Sequence, residues 1–464
     1  MTKGNASSKQ KTVREIALDS LMEMNEDGVF LHVALTRAFR ENPELSSEDR
    51  GFLTRLVEGT IEQRIYLDAC LNQISKTKTT KMKPLILQLL RLSAYQILKM
   101  DRVPDFAVCN EAVKLASKRG FGGLRGFVNG VLRNLARKKE TLTFPDEMKE
   151  PTAFLSVTYS MPEWIVERWI AQFGVMEAKA MLEALQGEKP LSFWVNTQRV
   201  DAEVLYRQLT QEGWSLQHHP YLPDAFLAKH LDGMEQKDAF LAGGFYVQDT
   251  SAMLAMELTL REIGSELTTG RILDVCAAPG GKTLYAANRL PEATFVAKDL
   301  TETKVSRIHE NATRLGYTQI QTRVADATCL RLEDAQSADL VIVDVPCSGL
   351  GILGRKADIR YRVREDDIPK LQTLQRKILE TAASYVKLGG YLLYATCTVT
   401  PEENTENVDW IRRTLPFAVK PFTQLPEGLQ EKYDPDEGLQ LLPHKGIYHD
   451  GFFAALFQKE NETA

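Results

Sequence analysis

From residue 240 onward the chain alternates short apolar runs with amphipathic stretches, and this alternation restricts the fold more than any other feature. "GRILDVCAAPGGKTLYAANRL" reads as strand, glycine turn and helix. "ATFVAKDLTETKVSRIHENATRLG" repeats strand then helix, and "IQTRVADAT", "ADLVIVDVPCSG", "GGYLLYATCTV" and "GFFAALFQ" supply further short apolar runs. Strands and helices in alternation predict a mostly parallel sheet with both faces covered, because each parallel crossover must leave the sheet and return over a face. Such sheets bind ligands beyond the carboxyl ends of their strands. The residues at those ends therefore decide the chemistry.

Asp274 closes the first strand, and "CAAPGGKT" opens the helix after it. Gly280 and Gly281 let the backbone approach a ligand closely. The spacing is not GxGxxG, and Gly281, Lys282 and Thr283 lack the upstream glycine of a phosphate loop, which counts against NAD and ATP. Asp299 closes the next strand, 25 residues beyond Asp274, where a carboxylate can accept both hydroxyls of a ribose. Asp326 ends another strand, in position to meet an adenine. One aspartate after a strand reads as a helix cap. Three after successive strands predict a nucleoside ligand, and without a phosphate cradle that ligand is S-adenosyl-L-methionine. The Asp274 strand end and the "PGG" loop would enclose its amino-acid half, with Lys282 facing the carboxylate or holding the loop.

Six cysteines are present, with no CxxC and no zinc spacing, so no metal is expected. Cys347 in "VDVPCSGLG" and Cys397 in "YATCTVTPEEN" each follow a strand. They would lie at the ligand edge, beside a methyl donor. A thiol has a use there, because C5 of cytosine is too weak a nucleophile to take a methyl group. A thiolate adding to C6 raises the electron density at C5. The C5 proton must then leave and the thiol be eliminated, so a second group is useful. Residue chemistry alone leaves open which cysteine attacks. Thr400, Pro401 and Glu403 suit the start of a helix directly after Cys397.

The rest of the chain has a different character. At 464 residues it is too long for one core. Residues 10–140 show helical spacing, with "SKTKTTKM" as a polar linker. Residues 113–139 hold eight Lys or Arg and no acid, a candidate phosphate-binding face despite a net charge of -5. After a Pro-rich stretch, "LSFWVNTQRV" reads as a strand and "DAEVLYRQLTQEG" as a helix. No run of 18 apolar residues occurs and the start is polar, so a cytoplasmic protein off the membrane, with reduced cysteines, is expected.

"CAAPGGKT", "DVPCSGLG" and "YATCTVTPEENTENV" together resemble the RNA 5-methylcytidine methyltransferases. Within them the chain is similar to the bacterial methyltransferase B branch, which acts on 16S ribosomal RNA. "SSEDRGFLTRLVEGTIEQRIYLD" and "FVNGVLRNLAR" resemble that branch's antitermination-factor-B-like domain, so the likeness covers nearly all the chain. The resemblance implies three parts: an all-helical RNA-binding domain over 1–145, a linker and small RNA-recognition-motif-like α+β segment over 146–238, and a Rossmann-like class I methyltransferase domain over 239–464. It implies Cys397 as nucleophile, Cys347 in product release, and Asp344 against the target cytosine and near the cofactor. Cys276, Ala277, Ala278, Pro279, Gly280, Gly281, Lys282, Asp299, Asp326 and Asp344 would hold S-adenosyl-L-methionine. Gln248 and Asp249 in "FYVQDTSAML" would help organise that pocket. Arg355, Lys356, Arg360, Arg362 and Arg364 would contact the RNA backbone, as a comparable basic element does in the family. The sequence departs from the family at Val345, Ala357 and Thr398, where Ala, Pro and Ser are usual. The implied partner is 16S ribosomal RNA, free or within a partly assembled small subunit, bound by a monomer. A noncatalytic RNA-binding factor would not need both cysteines, Asp344 and the glycine turn. A tRNA methylase would share the core without the N-terminal domain. A DNA cytosine methyltransferase would attack through the cysteine of its PC motif.

Overall fold

The computed structural model describes residues 11–186, 189–229, 233–429, 433–444 and 449–460; the polar start, residues 1–10, lies outside them. The chain divides into two compact units: Met1–Gln186 with Lys356–Arg362, and Gly187–Arg355 with Val363–Ala464.

The first unit is helical. Thr12 and Ser46 cap the helices Val13–Glu26 and Ser47–Glu62 through their hydroxyls, and Pro84 opens the helix Pro84–Lys99 at a position where its missing N–H costs nothing. "SKTKTTKM" forms a short 3₁₀ turn, Thr79–Lys81, between Arg64–Ile74 and Pro84–Lys99. Leu18, Leu56, Leu67, Leu90, Leu115 and Leu132, each from a different helix, meet in one core. Arg91 lies in the most buried helix, 4% exposed, and its guanidinium makes paired hydrogen bonds of 2.8 and 2.6 Å to Asp68. Asp68→Ala would strand that charge in the core, and urea denaturation of the full-length protein is expected to show a loss of about 3 kcal/mol. In the basic run, Lys114, Lys118, Arg119 and Lys139 pair with Glu111, Glu15, Asp19 and Asp105. Among the described residues Arg125, Arg133, Arg137 and Lys138 have no carboxylate partner. The Pro-rich stretch adds the helices Pro151–Thr158, Glu163–Phe173 and Val175–Ala184 to this unit.

The second unit contains two sheets. Strands β1 (Leu191–Val195), β2 (Ser215–His218), β3 (Ala225–Lys229) and β4 (Phe245–Val247) form an antiparallel sheet in the order β2-β3-β1-β4. The helix Ala202–Gln211, capped by Asp201, packs Leu205 and Leu209 on Phe193 and Phe226. The second sheet comprises β5 (Arg271–Asp274), β6 (Thr294–Asp299), β7 (Ile320–Val324), β8 (Ala338–Asp344), β9 (Val386–Thr396), β10 (Phe417–Val419), β11 (Tyr433–Asp434), β12 (Gly438–Leu441) and β13 (Phe452–Lys459). Its order is β11-β12-β13-β9-β8-β5-β6-β7, with β10 also beside β13. Strands β9, β8, β5, β6 and β7 are parallel, and residues 390–396 of β9 are buried without a break, as expected for a strand covered on both faces. The run "GFFAALFQ" joins as β13, antiparallel to β9. The chain leaves β5 through β6 and β7 and returns to β8 on the other side of β5. That reversal opens a crevice at the strand ends, where β5, β6 and β8 finish on Asp274, Asp299 and Asp344 and β9 runs into Cys397.

Candidate active site

The loop after β5 is built for close approach. Ala277 donates its N–H to Lys298 O at 2.8 Å, and Gly280, at φ +108°, turns the backbone into the helix Gly281–Arg289. A side chain on Gly281 would place its Cβ 2.9 Å from Gln248 Nε2, and the Gln248 amide is itself fixed by Trp194 Nε1 at 2.8 Å. The segment before the core therefore braces the glycine turn from behind. Beside it, Asp249 caps the helix Thr250–Ile263 through the N–H of Ser251. Asp274 is buried beneath the loop and accepts from Thr283 Oγ1 at 2.7 Å. Burial, reinforced by the charge of Asp344, pushes its carboxyl up to about 7. Burial also raises the Cys276 thiol.

The three strand-end carboxylates differ in what holds them. Asp299 accepts the N–H groups of Ala278 (3.0 Å) and Leu300 (2.7 Å) and pairs with Lys304 at 3.0 Å. Oδ1 takes both Leu300 and Lys304, whereas Oδ2 takes only the Ala278 N–H and keeps a lone pair for a further donor. Asp326 is exposed and accepts from the N–H and hydroxyl of Thr328 at 2.8 and 2.7 Å, bonds that hold its carboxyl below the usual range. Asp344 forms an ion pair with Lys282, whose ammonium also lies 5.1 Å from the Phe452 ring centre. Lys282 thus ties the glycine loop to the end of β8.

A single cleft of about 320 Å³ collects Cys276, Ala278, Asp299, Asp326, Asp344, Cys347 and Cys397. Ala277, Pro279, Gly280, Gly281 and Lys282 shape the adjoining turn without lining the cleft. Sequence reasoning missed Lys304, in the first turn of the helix after Asp299, and the apolar residues Leu374 and Ile378 that join Val345 and Pro346 in one wall. An apolar wall beside three carboxylates and one ammonium suits a cationic nucleoside, so the residues present fit S-adenosyl-L-methionine. Among the described residues no cluster of three His, Cys, Asp or Glu is placed to hold a metal.

The two cysteines meet at one end of this cleft. Their sulfurs are 3.1 Å apart as free thiols, and Cys397 donates its N–H to Cys347 Sγ at 3.3 Å. The hydrogen bond with Cys397, together with burial, raises the Cys347 thiol well above its ordinary value. Gly351 donates its N–H to Cys397 O at 3.1 Å and accepts from Gly451 N at 2.9 Å, so three backbone segments close around the Cys397 loop. The stretch after Cys397 departs from expectation. Residues 401–404 form a turn and the helix begins at Thr405. Glu403 lies inside the protein, bonded to both cysteine loops.

The basic segment after the PCSG loop also differs from its reading as an RNA face. Arg355 is held by Asp450 (2.5 Å) and Asp249 (3.3 Å). Arg360 is 2% exposed and donates to Ser160 O at 3.2 Å. Arg362 bonds the carbonyls of Gly28 and Val29 and pairs with Asp358. Desolvating a guanidinium is costly unless carbonyls or carboxylates replace the water, and here they do. Lys356 and Arg364 are exposed.

A parallel sheet that gathers a glycine turn, strand-end aspartates and a nucleoside-sized cleft at its reversal point defines a class I, S-adenosylmethionine-dependent methyltransferase. Comparison with known proteins narrows the class. Residues 265–458 match the family described as 16S rRNA methyltransferase RsmB/F, residues 11–137 the NusB family, and residues 161–231 the ferredoxin-like domain of the RsmF/B-like methyltransferases. "Probable ribosomal RNA small subunit methyltransferase B" of Bacillus subtilis (strain 168) is 35% identical over 97% of this chain and 100% of its own. Ribosomal RNA small subunit methyltransferase B of Salmonella arizonae is 30% identical over 97% and 100%. The crystal structure of PH0851, 24% identical, superimposes over 97% of this chain and 99% of its own with a TM-score of 0.79, a likeness of fold. The chain belongs to the 16S rRNA methyltransferase RsmB/F family.

Proposed function

We propose that this protein methylates C5 of a cytidine in 16S ribosomal RNA through a covalent bond between Cys397 and C6 of the base. The observation that carries the reading is the placement of two free thiols 3.1 Å apart in the lining of the cleft. S-adenosyl-L-methionine, when bound, supplies a methyl group made electrophilic by a sulfonium. Asp299 would accept a ribose hydroxyl, Asp326 would lie on the adenine side, and the backbone from Cys276 to Lys282 would enclose the remainder. Asp344, fixed by Lys282, orients the cytosine. The Cys397 thiolate forms the Sγ–C6 bond, and the electron pair of the C5–C6 double bond moves toward C5 and N3. C5 would take the methyl group as the donor's S–CH3 bond breaks to leave a thioether, the C5 proton would pass to a water in the cleft, and the returning pair would expel the Cys397 thiolate. Cys347, held as a thiol, assists that release.

The functional division follows the same outline: residues 1–145 bind RNA, 146–238 form the linker and small α+β segment, and 239–464 carry the chemistry. Arg125, Arg133, Arg137 and Lys138, together with Lys356 and Arg364, are available for phosphates. Arg355, Arg360 and Arg362 instead anchor the basic segment within the protein. No helix among the described residues is long and apolar enough to cross a membrane. We take the protein to act in the cytoplasm, as a monomer, on free RNA or a partly assembled subunit.

Two measurements test this function. 5-Methylcytidine mapping of 16S ribosomal RNA should find one modified cytidine lost when the gene is deleted and restored by the wild-type gene; unchanged modification would refute the assignment. Asp299→Ala should weaken S-adenosyl-L-methionine binding, read by calorimetry, by about 10- to 100-fold, the scale of a lost hydrogen bond to a charged group.

A further inference from the structure

We infer that Glu403 is a positioning residue that divides the labour between the two cysteines: its buried carboxylate grips the backbone around Cys347 and sets a negative charge behind that sulfur, leaving Cys397 as the one that attacks. The inference rests on the assignment of Cys397 as nucleophile and adds what enforces it.

Glu403 has no exposed surface. Its Oε1 accepts the N–H of Ser348 at 2.8 Å and the side-chain amide of Gln375 at 2.9 Å. The same Gln375 nitrogen donates to Pro346 O at 3.0 Å. The carboxylate therefore sits directly behind the Pro346–Cys347–Ser348 backbone. Its Oε2 accepts the hydroxyls of Ser348 at 2.6 Å and Thr400 at 2.7 Å. Because the Ser348 proton is committed to Glu403, the 2.7 Å contact between Ser348 and Thr398 has Thr398 as donor. An oriented chain thus runs from Thr398, beside Cys397, through Ser348, beside Cys347, to the buried carboxylate. One side chain holds both loops in register.

The electrostatics follow from the same geometry. Every side-chain or amide group bonded to the carboxylate is a neutral donor, so its negative charge keeps its field in a low-dielectric interior. Near Cys347 are Cys397, just after β9, and Tyr394 within it; Arg376, from the helix Ile368–Tyr385, lies by Tyr394 and is engaged with Asn407 at 3.0 Å; on the cleft side Asp344 is paired with Lys282. The carboxylate bonded to the Cys347 loop itself is that of Glu403. A like charge at that position disfavours a second anion, and the charge of Glu403 acts on Cys347 in this direction.

The test needs neither RNA nor methyl donor, so it can fail while Cys397 remains the nucleophile, and it can succeed if Cys397 is not. In full-length protein carrying Cys397→Ser, iodoacetamide labelling of Cys347 is followed across pH by mass spectrometry of its peptide. Adding Glu403→Gln removes the charge and keeps a carbonyl for the Ser348 N–H. The midpoint is expected to fall by about one pH unit, which is about a tenfold faster labelling at pH 8. An unchanged midpoint in a folded Glu403→Gln protein overturns the inference, because a purely packing role would alter melting alone. Should that variant not fold, Ser348→Ala strips one donor from the carboxylate and leaves its charge less compensated. The Cys347 midpoint must then rise, and a midpoint that stays or falls counts against the inference equally.

Discussion

Cys397→Ala is expected to abolish methyl transfer to RNA, with a loss of at least about 10⁴-fold in turnover, because no other group at the cleft can make C5 nucleophilic. Cys347 cannot take over. Its sulfur is only 3.1 Å away, but its burial and the Glu403 carboxylate behind its loop, both of which remain in the variant, still disfavour its thiolate. Binding of S-adenosyl-L-methionine should survive the substitution, since Asp299, Lys304 and the glycine turn do not depend on Cys397 for any hydrogen bond. Single-turnover methylation of a 16S transcript, alongside calorimetry with the methyl donor, separates the two effects.

Gly351→Ala should lower turnover by about 10²-fold although Gly351 touches no substrate. An added Cβ would lie 2.1 Å from Gly451 O, 2.5 Å from Gly451 C and 2.9 Å from Cys397 O. All three are backbone atoms, which cannot swing aside as a side chain would. Overpacking of this kind costs about 1–3 kcal/mol of stability. The larger consequence is local, because the clash is relieved by moving the Cys397 carbonyl or the PCSG loop. A shift of about 1 Å in a reacting atom lowers turnover by about 10²-fold. The expected pattern is a large fall in kcat with methyl-donor affinity within about twofold, since Gly351 does not line the cleft. A wild-type kcat in this variant would show that the loop can rearrange without disturbing the nucleophile.

The parts of the site that the sequence makes legible share one property: they lie at the ends of parallel strands. Asp274, Asp299, Asp344, Cys347 and Cys397 follow apolar runs whose length and flanking turns mark them as buried strands, and topology then brings those ends together. Long-range pairing was not legible. Glu403 sits in "TPEEN", where a glutamate after a proline suits the first turn of a helix. Only the fold shows that the helix starts at Thr405 and that the carboxylate points inward to Ser348, 55 residues earlier. The arginines after Cys347 carried the opposite difficulty. Arg355, Arg360 and Arg362 read as a basic surface because their partners, Asp450, Ser160 and the carbonyls of Gly28 and Val29, are remote in sequence. In the small sheet, β2 and β3 escaped notice because β2 buries one residue of four and neither is long enough to show a period. "GFFAALFQ" was legible as a strand, but its antiparallel direction depends on the β10–β12 excursion before it.

The division of roles between the two thiols is the centre of this account, and trapping on RNA containing 5-fluorocytidine tests it most directly. Fluorine at C5 cannot leave as a proton does, so the covalent bond to C6 persists and is seen as a protein–RNA complex that survives denaturing electrophoresis. Wild-type protein and Cys347→Ala are predicted to form the complex, Cys347→Ala accumulating it even on unmodified RNA because release is impaired, while Cys397→Ala forms none. A complex that persists in Cys397→Ala and disappears in Cys347→Ala would contradict the assignment and make Cys347 the nucleophile.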